Sequence, residues 1–251
     1  MKNHLFCHQV NQLPLLSENP ELIGNQVRIW LVDMDTYFSI LPSLRNILSP
    51  EERKRADRFY KESDTARFIV RRAVLRLLMA NELDVLPDQV EFITGINGKP
   101  HLVNSKGIHF NCSHSSKFAV IVIANQQIGI DIEYINDDFD YEGVAEHSFS
   151  TRELAVLRCS TKPIRDFFMI WTRKEAFLKA LGTGIGQDIN LLNCLDGVQP
   201  VPSVLTLEKT AWECHTIEVS RDYLLSITSK KPAVPFNFIF ETLDKELLPA
   251  D

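Results

Sequence analysis

Cysteine organises nothing in this sequence. Its five cysteines, Cys7, Cys112, Cys159, Cys194 and Cys214, are odd in number, scattered and free of any Cys-x-x-Cys. A disulfide framework or a zinc site is therefore not expected, and reduced thiols in a cytosol are the simple reading. Long apolar runs are missing as well. The longest, residues 118–124, is far short of the ~20 residues that span a bilayer. The opening Met1-Lys2-Asn3-His4-Leu5-Phe6 leads into no apolar segment of the secretory kind. Nor is there an excess of positive charge: the formal charge is −6, which argues against nucleic acid as the main partner. The expectation is a cytoplasmic protein that engages neither nucleic acid nor membrane.

What is present is an ordinary globular composition, 45% hydrophobic and 24% charged. At 251 residues the chain can bury one sizeable core or build two halves. Residues 1–25, with Pro14, Pro20 and Gly24, read as an arm or loop. Residues 27–32 read as a first strand. Ser49-Pro50-Glu51-Glu52 is a helix start with Ser as N-cap, Pro at the first position and Glu at the third. A second helix is expected over residues 63–82, with Ala66, Val70, Ala73, Val74, Leu77 and Leu78 as its buried stripe. Around these helices lie Arg53, Lys54, Arg55, Arg58, Arg67, Arg71, Arg72 and Arg76. They form either a solvated face or an anion site.

Residues 90–94 and 101–103 read as strands joined through Asn97-Gly98, a strong hairpin signal, with Lys99 at its mouth. Short strands follow at 110–115 and 118–124. Ser150-Thr151-Arg152-Glu153 repeats the capping box, and a long helix over 164–181 ends at Gly182. Gly182-Thr183-Gly184-Ile185-Gly186 lacks the Lys and Ser/Thr of a P-loop and follows a helix rather than opening one. Further β-rich stretches are expected at 204–207, 212–219, 223–228 and 236–240, and the last residues read as a loose tail.

The strand Ile128-Gly129-Ile130-Asp131-Ile132-Glu133 carries the chemistry. With period two, Asp131 and Glu133 share a face while Ile130 and Ile132 point into a core. Two carboxylates ~4 Å apart repel by about 4 kcal/mol at an effective dielectric near 20. A hard divalent cation would offset this; a solvated strand face is the plainer reading. On the long helix Glu175 and Lys179 are four apart and share a face. Asp131, Glu133 and Glu175 thus supply candidate oxygen ligands, and Lys54, Lys99, Arg55, Arg67 and Lys179 supply cations. Carboxylates, Mg²⁺ and Lys/Arg together are the equipment of phosphoryl transfer.

An internal echo runs through the chain. Ser49-x-x-Glu52 recurs as Ser150-x-x-Glu153, 101 residues on, and Arg71–Leu78 aligns with Lys174–Leu181, 103 residues on. Two related α+β halves are implied, with Arg72 in the place of Glu175.

Five ordered motifs carry a family resemblance: Gly98-Lys99-Pro100; Phe110-Asn111-x-Ser113-His114-Ser115; Gly129-Ile130-Asp131-Ile132-Glu133; Phe149; and Trp171-Thr172-x-Lys174-Glu175-Ala176-Phe177-x-Lys179 with Gly182 and Gly184. With Ser49–Arg53 and Arg58-Phe59-Tyr60 upstream, the stretch 45–190 resembles the long, single-chain 4′-phosphopantetheinyl transferases of the surfactin-synthetase-activating type. The resemblance implies an α+β fold of two similar subdomains under pseudo-twofold symmetry, each a small, mainly antiparallel sheet packed with helices. They would divide as 1–127 and 128–251, the second carrying the metal ligands.

It further implies Mg²⁺ held by Asp131, Glu133 and Glu175, and coenzyme A in the cleft between the halves. Phosphopantetheine would pass to a serine of an apo acyl or peptidyl carrier protein, releasing adenosine 3′,5′-bisphosphate. Glu175, Lys179 and Asp131 would be catalytic. Glu175 would be the base, directly or through a metal-bound water, and Lys179 would neutralise the transferring phosphate. Arg55 and His114 would contact the 3′-phosphate, Lys99 and Arg67 the adenine-nucleotide end, and Ser113 a phosphate. Glu52 departs from the pattern, because related members often carry a basic residue there. An acid at that place would weaken the contact or turn outward, and the basic duty would pass to Arg53, Lys54 or Arg55. Glu153 is either a further acid near the metal or, the plainer reading, the cap of its helix. One chain with both halves favours a monomer. The alternatives are a metal-dependent phosphohydrolase acting on coenzyme A or a nucleotide, and a non-catalytic carrier- or coenzyme A-binding module.

Overall fold

The computed structural model describes residues 3–10, 26–95, 97–184, 186–207, 210–231 and 237–242. Along these the chain forms β1 (His4–Val10), β2 (Gln26–Asp33), a 3-10 turn (Met34–Ile40), α1 (Leu41–Ile47), α2 (Pro50–Ala56) and α3 (Glu62–Leu83). Next come β3 (Phe92–Thr94), β4 (Pro100–Leu102), β5 (His109–Ser115), β6 (Phe118–Ala124) and β7 (Ile128–Tyr134). Then follow α4 (Glu142–Ser148), α5 (Thr151–Arg158), α6 (Pro163–Leu181), β8 (Gly197–Pro200), β9 (Ala211–Ser220), β10 (Tyr223–Lys230) and β11 (Asn237–Thr242).

The all-apolar β6 explains the layering. Ala119, Ile121 and Ile123 face a core built with α1 and α3. Val120, Val122 and Ala124 face a second core shared with Ile128, Ile130 and Ile132 of β7 and with Leu225 and Ile227 of β10. A strand buried on both faces must be apolar at every position. One sheet, in the order β11-β2-β6-β5, therefore packs on a second, in the order β7-β10-β9-β1-β8. Helix α6 covers the far side of the second sheet through Phe167, Ile170, Phe177 and Ala180.

The halves repeat each other. α1, α2 and α3 begin at 41, 50 and 62, and α4, α5 and α6 begin 101 residues later at 142, 151 and 163. The antiparallel run β2-β6-β5 matches the antiparallel run β7-β10-β9. The expected α+β class, two sheets each backed by helices, is what the chain forms.

Three expectations are corrected. Part of the stretch read as an arm is β1, which runs parallel to β9 and buries Leu5 and Cys7; residues 11–25 lie outside the described residues. Position 204 begins no strand: residues 203–205 turn, and Val204 and Leu207 are exposed. Nor does each sheet hold only one half's strands. β1 joins the second sheet, and β11 joins the first, parallel to β2. Ile185, Pro232, Pro235 and the tail after 242 also lie outside the described residues. Among the described residues, no helix is long and apolar enough to cross a membrane.

Candidate active site

A glycine sets the distance between the acidic strand and the long helix. A Cβ at Gly129 would stand 2.1 Å from the Ala176 carbonyl oxygen and 2.2 Å from the Ala180 amide nitrogen. Only a residue without a side chain lets α6 lie this close on β7. Asp131 and Glu133 share the face of Gly129, so they meet Glu175 and Lys179.

Asp131 is buried, and its Oδ1 accepts from Lys179 Nζ at 2.6 Å and from Ser113 Oγ at 2.7 Å. Lys179 also donates to Ser113 Oγ at 2.9 Å. Asp131 Oδ2 and Glu175 Oε1 are buried with no hydrogen-bond partner. Glu133 Oε2 accepts from Ser115 Oγ at 2.9 Å, and its Oε1 from Trp171 Nε1 at 3.2 Å. Burial first, and then the charge of Asp131, push both Glu133 and Glu175 up to about 7. Burial also raises Asp131, opposed by Lys179. The charge of Asp131 thus reaches Glu175 on a separate segment, and the ammonium of Lys179 is paired with Asp131.

This donor set fits a hard divalent cation: oxygen ligands, excess negative charge, and two buried oxygens without partners. It is not a finished cage. Among the described residues no group of three or more His, Cys, Asp or Glu side chains is already arranged to hold a metal, and Lys179 presently sits on Asp131.

The strand facing β7 is β5, the edge of the other sheet. Phe110 packs into the helical core with Cys112 against it, so Asn111, Ser113 and Ser115 turn toward β7. Asn111 Oδ1 accepts from the Ile130 amide at 3.0 Å, and Ser115 Oγ from the Tyr134 amide at 3.0 Å. These side chains stitch together two edges that share no backbone ladder.

Beyond Ser115 opens a cavity of about 390 Å³ lined by Phe59, Asp64, Arg67, Phe68, Arg71, His114 and Ser115. Arg55 and Arg71 each lie 5.4 Å from the centre of the Phe68 ring. Arg71 NH1 stands 3.0 Å from both ring nitrogens of His114. A guanidinium can only donate, so the imidazole accepts. His114 is open to solvent on one side, yet partial burial and then Arg71, Lys179 and Arg67 lower it to about 4. Burial, aided by Arg55 and Arg72, likewise disfavours the charge on Arg71. Arg67 is held by Asp35 at 3.1 Å. The arrangement suits an anion.

The structure brings Arg67 and His114 to one cavity and Ser113, Asp131, Glu133, Glu175 and Lys179 to the adjoining seam; Arg55 is not in the cavity wall but lies over the ring of Phe68, which is. Lys99 lines a different cavity, of about 430 Å³, with His101, His109 and Gly182. Its Nζ donates to the carbonyls of Lys179, Ala180 (3.3 Å) and Ile128 (3.4 Å), the first two at the carboxyl end of α6. Burial lowers it to about 8.

Glu52 is not turned outward. It caps α2 and takes ion pairs from Arg72 and from Arg76, the latter at 2.6 Å. Burial opposes its ionisation, but the bond from Arg76 and the charge of Arg72 hold its carboxyl below the ordinary value. Glu153 caps α5 as expected, and also pairs with buried Lys174 at 2.9 Å. Sequence reasoning placed Arg71 only within a broad basic set that could be a solvated face or an anion site, and gave no individual role to Ser115 or Trp171. Arg71 stands one helical turn after Arg67, and Ser115 shares the strand face of Ser113. That spacing was the available signal.

Comparison with known proteins bears on the same residues. Residues 127–228 match the family model described as the 4′-phosphopantetheinyl transferase superfamily, and residues 38–126 match one described as 4′-phosphopantetheinyl transferase, N-terminal. The chain is 38% identical over 175 residues to the 4′-phosphopantetheinyl transferase HetI of Nostoc, covering 67% of this chain and 74% of that protein. It is 30% identical over 201 residues to psf-1 of Bacillus pumilus (77% and 83% covered). It is 27% identical over 193 residues to Sfp of Bacillus subtilis (76% and 85%); both bear the same transferase name.

Proposed function

Because the chain belongs to the 4′-phosphopantetheinyl transferase superfamily, and as such transfers phosphopantetheine from coenzyme A to carrier proteins, we propose how its residues do so. Asp131, Glu133 and Glu175 would hold Mg²⁺, and coenzyme A would bind beside them. Bound there, the ion neutralises the pyrophosphate and the clustered carboxylates. The observation that carries this is the pair of buried, unpartnered oxygens, Asp131 Oδ2 and Glu175 Oε1, within one acidic cluster.

Arg55, Arg67, Arg71 and His114 receive the nucleotide phosphates in the cationic cavity beside Ser115, and Lys99 serves the adenine-nucleotide end. Ser113 adds a hydrogen bond to a phosphate, and Lys179 moves part of its charge from Asp131 to the transferring phosphoryl group. Glu175 takes the proton of the carrier serine as its oxygen attacks the β-phosphate. The bond to the bisphosphate breaks, and adenosine 3′,5′-bisphosphate leaves. In this reading 1–127 and 128–251 are the working halves, the protein is a cytoplasmic monomer, and fatty-acid, polyketide and peptide-synthetase carriers are the candidate acceptors.

The test is the mass of an apo carrier after incubation with coenzyme A and Mg²⁺. Wild type adds one phosphopantetheine, and Glu175→Gln slows this by about 10²–10⁴-fold. Normal turnover in Glu175→Gln and Asp131→Ala refutes the site. Fast bisphosphate release with no carrier present indicates a phosphohydrolase instead.

A further inference from the structure

The three carboxylates are held in different ways. Asp131 has its charge met by Lys179. Glu175 Oε1 has no partner. Of the three, Glu133 has each oxygen met by a neutral donor, Ser115 Oγ on Oε2 and Trp171 Nε1 on Oε1. Neutral donors fix direction without cancelling charge. Both donors are themselves fixed. The Tyr134 amide donates to Ser115 Oγ at 3.0 Å, which occupies a lone pair and leaves the hydroxyl proton for Glu133. The Trp171 ring stacks on Phe167, with centroids 6.0 Å apart and planes 14° apart. One donor comes from β5 in the first sheet and the other from α6 behind the second.

We propose that Ser115 and Trp171 are positioning residues for Glu133, holding its carboxylate from two layers of the fold so that a divalent cation meets a ligand already aimed. The proposal rests on the reading of this cluster as a metal site. A hydrogen-bond donor behind a metal ligand is worth about 10- to 100-fold in metal affinity, and Thr and Val have nearly the same shape but differ in the hydroxyl.

The experiment is a Mn²⁺ titration followed by electron paramagnetic resonance, with coenzyme A present, on wild type, Ser115→Thr, Ser115→Val and Trp171→Phe. Steady-state Mg²⁺ titrations of transfer run alongside. Wild type and Ser115→Thr are expected to bind within about twofold of each other, and Ser115→Val at least about tenfold more weakly. Trp171→Phe keeps an aromatic ring, smaller than the indole, but loses the N–H, and shifts in the same direction. The half-saturating Mg²⁺ concentration rises in Ser115→Val and Trp171→Phe while kcat at saturating Mg²⁺ is largely recovered. Equal affinities for Ser115→Val and Ser115→Thr, with wild type binding normally, overturn the positioning role alone. So does a fall in kcat that no Mg²⁺ concentration restores. A wild type that binds no Mn²⁺ under these conditions overturns the metal reading, and the positioning role with it.

Discussion

In both halves a serine opens the middle helix, and a glutamate three residues later reaches back to cap it: Ser49 with Glu52, Ser150 with Glu153. Both glutamates then turn inward to cations of the next helix, Glu52 to Arg72 and Arg76, Glu153 to Lys174. From there the halves diverge. In the first, Arg67 and Arg71 line one cavity, and Arg55 lies over the ring of Phe68 in its wall. In the second, Asp131, Glu133 and Glu175 collect where the long helix meets its strand. The 101-residue spacing that relates the helix starts also pairs position 28 with position 129. Arginine stands at the first, reaching Glu82 of α3; glycine stands at the second, admitting α6 to backbone contact. One scaffold thus presents an anion cavity beside an acidic cluster, the two things a charged pyrophosphate and its counter-ion require.

The sharpest way to break this contrast is Gly129→Ala. Its new methyl group meets backbone at 2.1–2.2 Å, and backbone cannot swing aside. The expected outcome, beyond the ~1–3 kcal/mol of ordinary overpacking, is loss of folded protein, read from circular dichroism and the soluble yield. A variant that melts like wild type contradicts the close approach of α6.

Next in size is removal of the capping glutamates. Glu52→Ala leaves Arg72 and Arg76 without their carboxylate, and Glu153→Ala strands the fully buried Lys174. Breaking one side of a buried pair costs about 3–5 kcal/mol, so urea unfolding should show both variants weakened by comparable amounts. A near-zero effect at either one breaks the parallel between the halves.

The division of charge also predicts how activity fails. Arg71→Ala removes a guanidinium that makes no ion pair among the described residues. It should raise KM for coenzyme A by roughly 10- to 100-fold, as expected for a charged hydrogen bond worth about 1.5–3 kcal/mol, with little change in melting temperature. An unchanged KM places the anion elsewhere.

The last effect is on pH dependence. Glu133 and Glu175 rise from 4.5 to about 7 in the fold. Their stabilising contribution is therefore complete below about 4.5 and is lost as pH rises through about 7. In chelator, the wild-type melting temperature should fall across that window more than that of Glu175→Gln, and Mg²⁺ should reverse the difference at pH 8. A wild type whose melting temperature ignores both pH and Mg²⁺ contradicts the crowding of these carboxylates.

Much of this was legible in the chain because it rests on local rules. Period two placed Asp131 and Glu133 on one face. The four-residue step placed Lys179 beside Glu175. Ser-x-x-Glu marked both middle helices, and the repeat gave the doubled order. What stayed hidden depends on contacts between distant segments. His4–Val10 leads into a stretch broken by Pro14, Pro20 and Gly24 and reads with it as an arm; it is a strand because β9 and β8 flank it. Glu52 looked misplaced until Arg72 and Arg76, twenty and twenty-four residues on, came into its reach. Lys99 was read as a ligand contact, but its present partners are carbonyls at the end of α6, a helix that begins more than sixty residues later.

The most direct measurement is an anomalous-scattering crystal structure of the protein with coenzyme A and Mn²⁺. The account predicts one peak about 2.0–2.3 Å from carboxylate oxygens of Asp131, Glu133 and Glu175, touching the pyrophosphate, with the nucleotide phosphates among Arg67, Arg71 and His114. A peak held by other residues, or coenzyme A seated away from this seam, would contradict it.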